Sequence, residues 1–319
     1  MPNVTLATSS PTDAWPALPL AGWGDSYETL HRWLQIVGKT MLHFAPMQNH
    51  WWQTALRLTP RGIGTSSMPD GIREFDIELD FIDHLLVVRT SDGATRTMHL
   101  SPRSVADFHR EYLATLESLD IHPHIWPVPV EMADTLRFDE DRIHASYDAE
   151  AVHRCWRALA ESDRVLKLFR GRFIGKSSPS QLWWGGFDLA YTCFSGRRAP
   201  PHPGGAPNTP AYVNLEAYSH ECMSVGWWPG SVGSVEEPVF YAYGYPEPPG
   251  SAGAPIEPAD AYYHTGMREW ILPYDAVRRA PDPDAALLAF CESTYSAVAE
   301  LGHWDRAELE RHGDANASH

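Results

Sequence analysis

One order of features is written twice along this chain, and that repetition limits the folds open to it. Over residues 27–43 the side chains Tyr27, Leu30, Leu34, Val37 and Met41 recur at steps of three and four, the period of a buried helix face. Val152, Trp156 and Leu159 form the same stripe over residues 150–169, extended by Leu166 and Phe169, and Leu30-His31-Arg32-Trp33 echoes Val152-His153-Arg154-Cys155-Trp156. A tryptophan doublet follows each helix, Trp51-Trp52 and Trp183-Trp184, and is read as opening strands at residues 54–59 and 187–194. A longer strand comes next. In residues 75–81, Phe75, Ile77, Leu79 and Phe81 alternate with Asp76, Glu78 and Asp80, so one face is apolar and the other acidic. Its expected counterpart, residues 239–245, sets Val239, Tyr241, Tyr243 and Tyr245 against Phe240, Ala242 and Gly244, whose small members leave room beside the sheet. Each half closes with a helix opened by Ser101-Pro102 or Asp282-Pro283, residue types that cap helices and tolerate their first turn.

The expected fold is therefore α+β: an internally duplicated pseudo-dimer, each half running helix, antiparallel strands, helix. The boundaries are 21–126 for the first repeat, 127–148 for an acidic connector and 149–310 for the second repeat, within one compact unit. Proline- and glycine-rich loops at 195–218 and 246–264 have no equal in the first half, and loops of such length usually carry function. Function is thus sought on the second half's side of the junction.

Charge excludes several classes. Lys plus Arg number 25 against 41 Asp plus Glu, a net −16, which repels phosphate backbones and anionic lipid surfaces, so neither nucleic acid nor membrane is expected as a partner. No apolar run reaches the length of a membrane span, and residues 1–20 lack a basic start followed by an apolar stretch, so a cytoplasmic protein is expected. Cys155, Cys193, Cys222 and Cys291 are far apart, which suits reduced thiols. The 13 tryptophans point instead to an aromatic-walled cavity.

Familiar chemical motifs fail on spacing. Gly171 to Ser177 has three residues between its glycines where a phosphate loop needs four, leaving Lys176 either as an anion contact or as a solvated lysine. No serine stands in a nucleophile elbow and no glycine fingerprint follows a strand. Sixteen histidines form no metal-binding spacing; a divalent metal held by His50, His220 and His264 is the less favoured reading, and no cofactor is expected. Acid-base work falls to His50, Asp188 and His220, near the tryptophans, where an imidazole titrates near neutrality and a walled-in carboxyl is raised toward it. Asp188 could equally form a structural ion pair with Arg197 or Arg198.

Several segments together, Trp33-Leu34-Gln35-Ile36-Val37-Gly38-Lys39, Asn49-His50-Trp51-Trp52, Gly175-Lys176-Ser177-Ser178-Pro179, Gly186-Phe187-Asp188-Leu189-Ala190, Phe194-Ser195-Gly196-Arg197-Arg198, Tyr218-Ser219-His220-Glu221 and Trp228-Pro229-Gly230, resemble a bacterial family known as the domain of unknown function DUF5996. The resemblance spans about residues 14–310 and implies no agreed activity or cofactor. The residues themselves lead to an enzyme of small-molecule or secondary metabolism whose pocket lies between the repeats. Trp51, Trp184, Trp227 and Trp228 are expected to wall it, His50, Asp188 and His220 to move protons, and Lys176 and Arg198 to hold an anionic substituent. A non-catalytic protein binding a small molecule in the same cavity is the alternative.

Overall fold

A computed structural model describes residues 14–231 and 235–311. Helix α1 (Gly24–Phe44) forms where the three-and-four spacing ran, but it is buried on nearly every side rather than along one stripe. Its polar members need partners inside the protein. Arg32 finds Glu28, Asp134 and Asp141. The Gln35 amide donates to Val130 O at 2.8 Å and accepts from Val130 N at 2.9 Å, and His31 Nε2 lies 2.9 Å from Gly185 O. At Gly38 an added Cβ would stand 2.3 Å from the Trp184 ring, so the glycine is the seat of that indole.

The first sheet comprises β1 (Arg57–Leu58), β2 (Gly62–Gly64), β3 (Met68–Asp70), β4 (Arg73–Asp80), β5 (Leu85–Thr90) and β6 (Thr95–His99), all antiparallel, in the order β1-β2-β4-β5-β6 with β3 on the end of β4. The alternation expected of β4 holds: Phe75, Ile77 and Leu79 are buried. Its acidic face is tied to β5, whose Arg89 contacts Glu78 at 2.6 Å and Asp76 at 3.2 Å. Helix α2 (Val105–Glu117) starts three residues later than Ser101-Pro102 suggests, because Ser104 accepts from Asp107 N at 3.1 Å.

Helix α3 (Ala149–Arg170), capped by Asp148, leads into the second sheet. Its strands are β7 (Gln181–Trp183), β8 (Asp188–Arg198), β9 (His220–Trp228), β10 (Val239–Tyr245), β11 (Tyr262–His264) and β12 (Glu269–Pro273), in the order β11-β12-β10-β9-β8-β7. A short helix α4 (Ala211–Ala217) lies in the β8–β9 connection. After β12 come α5 (Tyr274–Arg278), α6 (Pro283–Leu301), capped by Asp282 as its sequence suggests, and α7 (Arg306–Leu309). The two sheets meet edge to edge where Leu56 and Leu182 exchange backbone hydrogen bonds of 2.9 and 2.8 Å. Counting outward from that joint, the first sheet runs in chain order apart from β3, and the second does so from β7 to β10 before β12 and then β11 follow, so the architecture is α+β with helices over two joined sheets.

Three details differ from the sequence reading. Leu56 faces Leu182, yet Trp51-Trp52 sits in a 3-10 turn (Asn49–Thr54) ahead of the joint while Trp183-Trp184 follows it, so the doublets do not mark matching places. Third from the joint, β4 is matched in position by β9, whereas β10 is fourth. Ala242 and Gly244 leave no room for a ligand: an added Cβ at Gly244 would stand 3.1 Å from Val298 of α6, so that face seats a helix.

All four cysteines are buried and free. Among the described residues no helix is long and apolar enough to cross a membrane.

Candidate functional site

A cavity of about 640 Å³ opens between α1, the 49–54 turn, the connector, the β7–β8 turn and one face of the second sheet, with α4 above it. Side-chain alternation decides which strand residues reach it. Asp188, Ala190, Thr192 and Phe194 of β8, Cys222 and Ser224 of β9, and Tyr241 and Tyr243 of β10 share the cavity face. Trp227 therefore points the other way and is wholly buried, edge-on to Tyr274. Trp228 packs with Val239, Tyr241 and Ile271, outside the lining. Neither walls the cavity as expected; Trp51 and Trp184 do, joined by Trp52, Trp183 and Trp126.

The 195–218 loop, one of the two expected to carry function, roofs the site through α4. Trp51 Nε1 donates to Val213 O at 3.1 Å, and His50 N donates to Glu216 Oε1 at 3.1 Å. The His50 ring is enclosed by Phe194 and Trp52 and bonded at both nitrogens. Its Nδ1–H donates to Ala217 O at 2.9 Å, which leaves Nε2 to accept from the Lys176 ammonium at 2.7 Å. Burial, then the Lys176 charge, lowers its pKa. His50 thus arrives at the cavity as a neutral, fully engaged imidazole that anchors the roof.

His220 stands behind it, ring centroids 5.9 Å apart, bonded to its neighbour Ser219. Lys176 is spent on His50 and on the faces of Trp52 and Phe194, and Arg198 is exposed at the strand edge opposite His220, so neither anion contact expected from the sequence reaches the lining. His264 lies in β11 at the far edge of the sheet, accepting from Met267 N, and is not brought to His50 and His220. Among the described residues no group of three or more His, Cys, Asp or Glu could hold a metal ion.

Asp188 occupies the cavity floor. Its partner is not an arginine, since Arg197 is taken by Glu221 at 2.6 Å; the Tyr241 hydroxyl donates to Asp188 Oδ2 instead. Tyr241 can lie across the sheet because its cross-strand neighbour is Gly226, where a Cβ would stand 2.7 Å from the phenol oxygen. Burial raises the Asp188 pKa to about 6, with the Tyr241 hydrogen bond opposing.

The connector supplies a second carboxyl. Glu131 is an exposed residue at the cavity wall whose carboxyl oxygens pack on the glycines of the β7–β8 turn. At the point where a Gly186 Cβ would begin, Asp188 Oδ1 is 3.0 Å away and Glu131 Oε2 3.6 Å. Two carboxyls so close cannot both ionise freely. Burial, then the charge of Asp188, raises Glu131 to about 7, and the same two causes raise Glu269 to about 7. Tyr218 and Tyr243, bonded oxygen to oxygen at 2.8 Å, complete the polar wall.

Strain gathers here as well. His50 (φ 59°), Trp51 (φ 62°), Glu131 (φ 59°) and Phe187 (φ 56°), all at or beside the cavity, hold left-handed backbone without being glycine. Such conformations persist where surrounding contacts over-determine them, often at functional sites.

The model of a family of unknown function, DUF5996, matches residues 15–311, nearly the whole chain. The chain belongs to the DUF5996 family. No curated protein and no solved structure matches it. For this DUF5996 member, the functional reading rests on the site itself.

Sequence reasoning missed Glu131, Tyr241 and Lys39. Glu131 is one acid in a connector read as linker, and nothing local distinguishes it from Glu140 or Asp139. Lys39 did leave a signal: the chain has only three lysines, Lys39, Lys167 and Lys176, and Lys39 falls within the span of the first helix, on the side away from its apolar stripe.

Proposed function

We propose that the protein is an enzyme that transfers protons to or from a small organic molecule held in the tryptophan-lined cavity. The observation that carries this reading is the carboxyl pair: Asp188 and Glu131 share one floor and face an aromatic chamber, both are pushed toward neutrality by burial, and Glu131 is pushed further by the charge of Asp188. Groups whose pKa lies near the working pH are the effective proton carriers. Asp188, bonded to the Tyr241 hydroxyl, is the base when ionised, and Glu131 is the neighbour that holds the exchangeable proton. His50 positions the roof, and His220 lies outside the lining.

Incubating the protein with a metabolite extract and following loss and gain of masses tests this. A mass change made by the parent should fall about 10² to 10⁴-fold in Asp188→Asn, the range for losing a general acid or base. A change that persists undiminished in a folded Asp188→Asn would end the proposal.

One observation favours the alternative, a non-catalytic binder: both nitrogens of His50, an imidazole of the lining, are consumed within the protein. Under that reading the parent retains a molecule from the extract and converts none.

We also propose that the two halves arose by duplication, in a protein that works in the cytoplasm. Supporting the first are the antiparallel strands that run outward from the Leu56–Leu182 joint as β1-β2-β4-β5-β6 and as β7-β8-β9-β10, each sheet preceded and followed by a long helix. Other family members should then align half to half around Leu56 and Leu182; random pairing there would remove the idea.

A further inference from the structure

Of the three lysines in the chain, Lys167 is paired with Asp163 and Lys176 donates to His50. Lys39 has neither kind of partner. Its side chain is almost wholly buried, 4% exposed, and its ammonium stands 5.0 Å from the Trp126 ring centroid, 5.9 Å from Trp184 and 5.9 Å from Phe138. Among the described residues no oxygen accepts a hydrogen bond from it, although an ammonium has three to give. Aromatic faces recover part of the cost of burying a cation, about 0.5–2 kcal/mol, but they satisfy none of its N–H groups. Lys39, Trp126 and Trp184 all line the cavity.

We propose that Lys39 is the anion subsite of this cavity and that the ligand is a small organic acid, its carboxylate held by the Lys39 ammonium and its body lying between the tryptophans and the Asp188–Glu131 floor. The chemistry favours one negative charge. A single ammonium is a point charge, and among the described residues no arginine lines the cavity to grip a phosphate with its fork. Geometry places the two ends within reach of one small molecule. Gln35, one turn before Lys39 on α1, is bonded to Val130 beside Glu131 and to Gly185 beneath it, and a turn rises about 5.4 Å. The lining also includes the exposed imidazoles of His43 and His124, side chains able to carry positive charge. In a protein of net −16 the long-range field repels anions, so recognition of one has to come from such a local, enclosed cation. Burial alone pulls the Lys39 pKa down to about 8, with no carboxylate opposing it, and a bound carboxylate would restore the charged form.

This inference deepens the proton-transfer reading and rests on it for the reacting end of the ligand. The test uses the full chain with 4-methylbenzoate and its uncharged isostere 4-methylbenzamide, followed by calorimetry and by quenching of tryptophan fluorescence. The benzoate should bind at least about tenfold tighter than the amide. Lys39→Met should erase that preference, and Lys176→Met should leave it. Without any probe, Lys39→Met should raise the melting temperature, because it removes an unpaired buried charge and keeps the packing. A parent with no preference, including one that binds neither probe, overturns the subsite. So does a Lys39→Met variant that melts lower, which would make Lys39 a structural prop between its rings. Those failures would leave the raised titrations of Asp188 and Glu131 intact; finding both carboxyls at ordinary pKa values would instead remove the proton-transfer reading.

Discussion

At the residue scale, the cavity floor holds groups that the fold would be more stable without. Asp188 has a folded pKa of about 6 against an ordinary 3.8, so the folded state prefers the protonated acid. The sign follows from linkage: as pH rises through 4 toward 6 the unfolded chain ionises first and the fold loses stability, and above pH 6 the loss is constant. Asp188→Asn keeps an acceptor for the Tyr241 hydroxyl and cannot ionise. Its melting temperature should therefore exceed the parent's at pH 8, with the advantage gone near pH 4; an advantage independent of pH would show that Asp188 titrates normally. The same variant should lower the Glu131 pKa from about 7, because one of its two causes is the Asp188 charge. A carboxyl-resolved NMR titration reads that shift. Asp188 was legible as a candidate from its place after Phe187, whereas its partner was not. A tyrosine three strand residues into β10 meets Asp188 only because Gly226 of another strand is flat enough to lie under.

At the scale of elements, periodicity located the helices and strands well and said little about what their polar residues do. The α1 stripe was legible because Tyr27, Leu30, Leu34, Val37 and Met41 keep helical spacing, and all five are buried. Its burial on the remaining side was not, since the partners of His31, Arg32 and Gln35 come from the connector and the β7–β8 turn, far away in sequence. β4 was legible from strict alternation, and the Asp282 cap from its proline. The tryptophan doublets misled because composition carries no register. The Leu56–Leu182 bridge, a contact between segments far apart in sequence, is where the two sheets join, and the doublets lie on opposite sides of it. Residues 127–148 were read as linker from polarity, yet Phe138 and Asp141 are fully buried and Val130 is paired to α1. Long-range pairing makes that segment structural, and nothing local announces it.

At the scale of the whole molecule, the cavity exists because neither half closes without the other. The wall carrying Lys39 belongs to the first half, the floor carrying Asp188 to the second, and Glu131 to the segment joining them. The same interlock governs stability. Truncation after residue 148 would remove Trp184 from its seat at Gly38 and the Gly185 carbonyl from His31 and Gln35, leaving buried donors unpaired at roughly 1–3 kcal/mol each. It would also bare the Leu56 edge of the first sheet, whose backbone groups now pair with Leu182. Domain stabilities of about 5–15 kcal/mol do not survive several such losses together with exposed apolar surface. Residues 14–148 expressed alone should therefore lack the near-ultraviolet circular dichroism of packed aromatic rings, and co-expression with residues 149–311 should restore it. A fragment that is monomeric, packed and cooperative by itself would show that the first half is an independent domain. The cavity would then be an interface between two bodies rather than a chamber built by one fold.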